Sequence, residues 1–253
     1  VPDLPALEKR AYDALMAREA KYAREVQLVL RETLDEMRLQ MGKLYERYSV
    51  NGVLIHAEMS KYNRLATAEK QLLQAVDPAV RKTLRVINRL GPEQYEAAFY
   101  HYAWAMDNAA GVRLGWGVLN KATIMENLAS EFSKISTTRY GDGAQLAVRS
   151  ALNQGLAQGK GYAVMARDLK KAINATYGQA LRIIRTEGQT AVNAGQEDSY
   201  VWAQHKGIDL DMKWDATLDD RTRPDHQAAD GQTRDPETGL FTIGGGKGGP
   251  PRG

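Results

Sequence analysis

Between Trp214 and Gly231 the chain places five aspartates, two arginines and one histidine within eighteen residues. Carboxylates and an imidazole at this density suit two chemistries, ligation of a divalent metal or acid–base work in hydrolysis. Asp219, Asp225, His226 and Asp230 would be the reacting groups. Their spacing fits no strong ligand pattern. There is no HExxH and no CxxC, and the glycine and terminal glutamate of a calcium loop are missing from their offsets. The same side chains have a structural use. Asp219 and Asp230 can accept backbone N–H bonds in turns. Arg221 can grip a carboxylate with two parallel bonds. His226 can bond a carbonyl, and Trp214 can anchor a small core. This structural use is favoured. A partner-binding surface, and a metal-dependent hydrolase or nuclease built on Asp219, His226 and Asp230, stand as alternatives. No catalytic residue, metal or cofactor is assigned.

A second feature is excluded as chemistry. Gly244–Gly249 around Lys247 lacks the GxxxxGK[ST] spacing of a phosphate loop and has no Ser or Thr after the lysine. Residues 244–253 are Gly/Pro-rich, with nothing to bury, and are expected to be extended or flexible. No GxSxG context occurs either.

The elements that must hold the Trp214 segment follow from pattern. Met212-Lys213-Trp214 alternates like a short strand, and Gln232-Thr233-Arg234 offers a second. Thr222–His226 reads as a turn into a short helix, and Asp230-Gly231 as a tight turn. Upstream, helices are expected over about 144–158, 162–173 and 179–206, with stops at Gly159-Lys160-Gly161 and Gly207. Residues 139–206 hold nine basic and five acidic residues and are the most basic part of the chain. DNA, if touched, would be touched here, although ordinary surface charge accounts for the same count.

Residues 6–48 are built from strong helix formers. Leu30, Leu34, Met37, Met41, Leu44 and Tyr48 recur at steps of 4, 3, 4, 3 and 4, an a/d stripe. At 1.5 Å per residue such a helix is about 60 Å long. It could fold back into a bundle or extend as a coiled-coil arm; both readings stay open. Residues 1–50 carry nine basic and nine acidic residues, which argues against a DNA clamp there. Asn51-Gly52 marks a turn. Further helices are expected over 53–76, 78–90 and 92–110, punctuated by Asp77-Pro78 and Gly91-Pro92. Tyr95, Phe99 and Tyr102 share one face and read as helix packing. A helix over 118–135 and a loop over 136–143 complete the series.

The fold class is therefore mainly α: a long N-terminal helix and helical bundle followed by a small α+β C-terminal module. The expected divisions are a helical arm over 1–50, a helical region over 51–136, a C-terminal domain over 137–243 and a tail over 244–253. Composition narrows the function classes. The chain has 253 residues, a net charge of +3 and no cysteine, so disulfides and thiolate metal sites are excluded. Mean hydropathy is −0.49, and no stretch approaches the roughly 18 apolar residues of a membrane span. No secretory signal is visible.

Trp214, Asp219, Arg221, Thr222, His226, Asp230 and Gly231 together resemble the core motif of phage minor head proteins of the Mu F / SPP1 head-morphogenesis type. That motif is a tryptophan, a D-x-R-T element, a Cys or His, and a closing D-G. Upstream, Arg185-Thr186-Glu187 followed by Ala191 and Asn193 resembles the family's R-T-E helix, and the helix pair around Gly155 and Gly159 is also similar. The resemblance spans about residues 140–243. It implies a structural, binding protein rather than an enzyme. Such a protein is made in the host bacterial cytoplasm and resides in the virion, inside the capsid near the portal, in several copies. The portal protein is the implied partner, with the major capsid or scaffolding protein and genomic DNA as further candidates, and no membrane. Two departures stand out. Relatives often carry cysteines around the D-x-R-T element, and none is present here. The family pattern normally continues where this sequence stops, which leaves open a fragment, a processed form or the ordered part of a longer chain. A coiled-coil scaffold unrelated to phage would explain the heptads but not the Trp214–Gly231 segment.

Overall fold

The computed structural model describes residues 3–120, 122, 124, 128, 131–216, 222–235, 238, 240–243 and 246–248. Three long helices dominate: α1 (Leu4–Tyr48), α3 (Arg64–Ala110) and α5 (Tyr162–His205), of 45, 47 and 44 residues. A short α2 (His56–Ser60) and a 3-10 turn (Lys61–Asn63) precede α3. Helix α4 (Glu131–Ala157) precedes α5. Helix α6 (Pro224–Ala228) and the antiparallel pair β1 (Phe241–Ile243) and β2 (Gly246–Gly248) complete the chain. The protein is mainly α with a small mixed module at its C-terminal side.

The chain forms two compact units, each assembled from separated stretches. One unit gathers Arg18–Leu90 and Ala129–Glu187. Its core is a single cluster to which four helices contribute. Leu30, Leu34, Met37, Met41 and Leu44 of α1 are buried in it, together with Leu72, Val76 and Leu90 of α3. From α4 come Tyr140, Ala144, Val148, Leu152 and Leu156, a strict i+4 row, and from α5 come Met165, Leu169, Ile173 and Ile184. The heptad stripe of α1 is thus a bundle seam consumed within the fold, not a surface held out to a partner.

The other unit gathers Val1–Ala17, Gly91–Leu128 and Gly188–Gly253. Ala11, Leu15, Ala98, Tyr102 and Val192 form one of its buried clusters, and Tyr95, Ile124 and Ala191 another. Gln94 donates to the carbonyl of Leu15 at 3.1 Å, and the Tyr95 hydroxyl bonds Asp198. Phe99 meets Tyr100, Trp116 and Trp202 edge-on. The aromatic face of α3 is packing, as its spacing suggests.

Several expected breaks are absent. Helix α3 runs through Pro78 and Pro92. Each proline removes one helical N–H bond, a cost of about 3 kcal/mol. The buried residues on both sides of each, Val76 and Ala79, then Leu90 and Tyr95, outweigh it. Residues 136–143 are helix rather than loop. There Tyr140 is buried, and the glycines serve contact: a Cβ on Gly141 would sit 3.4 Å from Val80, and one on Gly143 3.4 Å from Gln179. Residues 174–178 likewise continue α5, since Ile173, Thr176 and Ala180 stay buried through that stretch. The helix expected over 53–76 is interrupted instead, because Tyr62 adopts φ 52° and ψ 32°. Residues 118–120 are irregular, since the Tyr100 hydroxyl donates to Gly117 O and accepts from the Leu119 N–H.

Two expected stops hold, and for the expected reason. At Gly159 (φ +60°) the N–H groups of Gly159 and Lys160 bond the carbonyls of Leu156 and Gly155. At Gly207 (φ +86°) those of Gly207 and Ile208 bond Gln204 and Ala203. Both are left-handed glycine caps that satisfy the last carbonyls of a helix.

Candidate functional site

The Trp214 segment folds as a module around one indole. Lys213 and Thr233 pair across an antiparallel bridge. The N–H groups of Trp214, Gly231 and Arg234 reach the carbonyls of Gln232, Trp214 and Met212, each at 2.8 Å. This two-stranded ribbon is the one expected from the alternation, and it exists because Gly231 turns the chain at φ +73°. Trp214 is 8% exposed. His226 meets its ring at 5.4 Å and 70°, and Phe241 at 5.3 Å and 72°. Ala229 closes the cluster, with Met212 and Ala216 packed against it.

The polar groups of the module are turned to internal work. Asp230 Oδ1 accepts the N–H of Ala216 at 3.0 Å. Asp225 Oδ1 accepts the N–H of His226 at 3.0 Å. Gln227 donates to the carbonyl of Thr222 at 3.0 Å, spanning the start of α6. The Arg223 guanidinium faces His226 Nε2. Guanidinium only donates, so Nε2 is the acceptor in that contact. The lone pair a metal would need is therefore directed at a cation. Among the described residues no three His, Asp or Glu side chains are placed to hold a metal ion.

Of the residues singled out by sequence, Trp214, Thr222, His226, Asp230 and Gly231 come together in this module. Asp219 and Arg221 lie outside the described residues. Arg185 and Glu187 lie on α5 in the other unit. The Arg185 side chain is 71% exposed, with Nε 4.0 Å from Glu19 Oε1. Burial pushes the Glu19 carboxyl up and the Arg185 charge opposes that rise.

Sequence reasoning missed Phe241 and the side-chain roles of two ribbon residues, Arg234 and Gln232. Phe241 packs on Trp214, and its signal was a lone aromatic ahead of a glycine-rich tail. Arg234 bridges to Glu197 of α5 at 2.8 Å and touches Met212 Sδ at 2.9 Å, tying the ribbon to a long helix of the same unit. Gln232 accepts the N–H of Thr242 at 2.9 Å. In the expected tail, residues 246–248 form β2, extended and paired with β1.

Residues 147–239 match the family described as Phage Mu protein F like protein. Through that segment the chain is similar to the Mu F-like family, and over most of its length to a phage minor head protein. The match takes in the second half of α4, all of α5 and most of the Trp214 module, so it contains both motif groups. The minor head protein GP7 of Bacillus phage SPP1 is 27% identical over 224 residues, covering 87% of this chain and 72% of that protein. The NAD(+)--arginine ADP-ribosyltransferase EFV of Enterococcus faecalis (strain ATCC 700802 / V583) is 28% identical over 219 residues. That alignment covers 85% of this chain but only 44% of the transferase, so the name describes a protein more than twice as long as the shared stretch. No solved structure matches the chain.

Proposed function

We propose that this Mu F-like protein acts by binding rather than by turnover. In this reading it is a portal-associated minor head protein in the capsid interior that serves head assembly and the packaging or ejection of the genome. The observation that carries the reading is similarity over 87% of the chain to a protein named as a minor head protein. The geometry of the Trp214 module agrees with it, because His226, Asp225 and Asp230 are engaged in holding the module together. Portal protein is the partner, with capsid or scaffolding protein secondary, and several copies enter each virion. DNA would meet α5, where Arg167, Lys171, Arg182 and Arg185 are exposed and recur at steps of 4, 11 and 3 on one helical face. Such a row suits phosphates.

The test is co-expression of the intact chain with the portal protein of the same phage, followed by size-exclusion chromatography. Co-elution in a fixed ratio supports the reading. Failure to bind portal, capsid and scaffolding proteins alike overturns it. Deleting residues 1–50 is unsuitable as a mapping variant, since it removes a core seam. Leu28→Glu and Leu39→Glu, on α1 side chains 51% and 54% exposed, map the same helix without unfolding it.

A further inference from the structure

The end of α1, the turn at Asn51-Gly52 and the start of α3 enclose an open cleft of about 780 Å³ within one unit. Lys43, Arg47 and Arg64 line it, together with Tyr48 and Tyr62. Glu58 is its one acidic wall residue, and that carboxylate is paired with Lys61 and Arg64. Lys43 and Arg47 are exposed, and neither has a carboxylate partner among the described residues. The cleft therefore presents uncompensated positive charge.

Its backbone is unusual. The non-glycine residues with positive φ among those described are Asn51, Tyr62 and Asn63, and each lies at the cleft wall or one residue from it. Asparagine tolerates that conformation, but for a bulky aromatic it is a genuine outlier. Tyr62 is also 87% exposed, so burial of its ring does not offset the strain. Backbone strain of this kind, held in place by its surroundings, clusters at binding sites. The Arg64 guanidinium lies 4.8 Å from the Tyr48 ring and 5.3 Å from the Tyr62 ring, and its Nη1 donates to the Glu58 carbonyl at 3.3 Å. Two rings and a fixed guanidinium thus stand beside Lys43 and Arg47, the latter with its guanidinium 5.4 Å from the Tyr48 ring.

We infer that this cleft binds a nucleoside phosphate, with the base on Tyr62 and the phosphate on Lys43 and Arg47. Aromatic faces and guanidinium planes stack bases, and cations track the backbone. Ser49, Thr67 and Gln71 on the walls offer hydrogen bonds to sugar and base edges. A peptide anchored by an apolar side chain fits less well, because the aliphatic wall residues are Val50 and the buried Leu44. The nucleoside phosphate comes either from a free nucleotide or from a single-stranded stretch. A duplex keeps its bases stacked and cannot offer one to Tyr62. The inference does not rest on portal association, and its residues are distinct from those of the α5 row.

The test uses the full chain, a fluorescein-labelled ten-nucleotide oligo-dT read by anisotropy, and AMP, inorganic phosphate and a duplex of equal length as competitors. Single-strand binding that Tyr62→Ala weakens about tenfold and Tyr62→Phe preserves is expected. Arg47→Ala should lower the slope of log K against log salt by about 0.7. Arg31→Ala, exposed on α1 and outside both the cleft and the α5 row, should leave single-strand binding unchanged. AMP displacing the strand identifies a free nucleotide as the source, and a strand that AMP does not displace identifies single-stranded nucleic acid. Binding of neither probe overturns the inference. So does a duplex or inorganic phosphate competing as well as the strand while Tyr62→Ala binds like the parent. Tyr62, Arg47 and the control position are all exposed, so thermal unfolding should match the parent and exclude a folding defect.

Discussion

The imidazole of His226 stands edge-on to the indole of Trp214, with centroids 5.4 Å apart. The histidine that looks most like an acid–base group is therefore one wall of an aromatic cluster. Trp214→Ala should cost about 3 kcal/mol and His226→Ala about 1 kcal/mol. The loss should fall on residues 208–243 and leave the long helices protected. Amide hydrogen exchange reads this directly, and a His226→Ala module as protected as the parent would sink the structural assignment.

Gly195 and Gly178 lie on the same helix and should respond in opposite directions. A Cβ on Gly195 would sit 2.3 Å from the carbonyl oxygen of Tyr95 and 3.1 Å from the N of Phe99. Backbone cannot step aside as a side chain does, so Gly195→Ala should destabilise by about 3 kcal/mol. At Gly178 a Cβ meets nothing within 4 Å, and Gly178→Ala should stabilise by about 0.5–1 kcal/mol. Urea unfolding of the two variants measures both.

Glu8 gives the stability a pH dependence. Burial raises its carboxyl above the ordinary 4.5, partly offset by the hydroxyl of Tyr200, which donates to it at 2.6 Å. The folded state thus holds this proton to higher pH than the unfolded chain does. Its contribution to stability is greatest below 4.5 and declines as pH rises through the raised folded value. Glu8→Gln keeps an acceptor for Tyr200 and removes the buried charge. Its melting temperature should exceed the parent's at pH 7 but not at pH 4.

Arg185 acts on Glu19 in the same sense. Burial raises Glu19 and the arginine's charge holds that rise down. Arg185→Ala lets the carboxyl climb further, so the variant should lose stability at neutral pH and match the parent below 4.5. The arginine is largely exposed, which limits the loss to about 0.5 kcal/mol. Melting curves at pH 4 and 7.5 suffice, and an equal loss at both would mean that packing, not charge, is what Arg185 contributes.

Features decided by near neighbours were legible in the sequence. The Leu30–Leu44 stripe, the caps at Gly159 and Gly207, and the Met212–Trp214 and Gln232–Arg234 ribbon follow from spacing, from glycine at the helix stops and from alternation. Features decided across the core were not. Pro78, Pro92, Gly141 and Gly143 read as punctuation, yet buried partners on distant helices keep the chain helical through them. Tyr62 carries no local signal for its left-handed backbone, so the cleft it borders was invisible. Within the site, Trp214 and Asp230 were read in the roles they fill. Phe241 and Arg234 gain theirs only once the ribbon has folded.

Each unit is stitched from stretches far apart along the chain, with α1, α3 and α5 contributing to both. On the ribosome, neither unit can close until α5 has been synthesised. At about 5–20 residues per second, the apolar seam of α1 waits roughly 6–23 seconds for the start of α5. Closure of either unit thus waits for α5, and the nascent chain up to that point is a natural client for chaperones that shield helical seams.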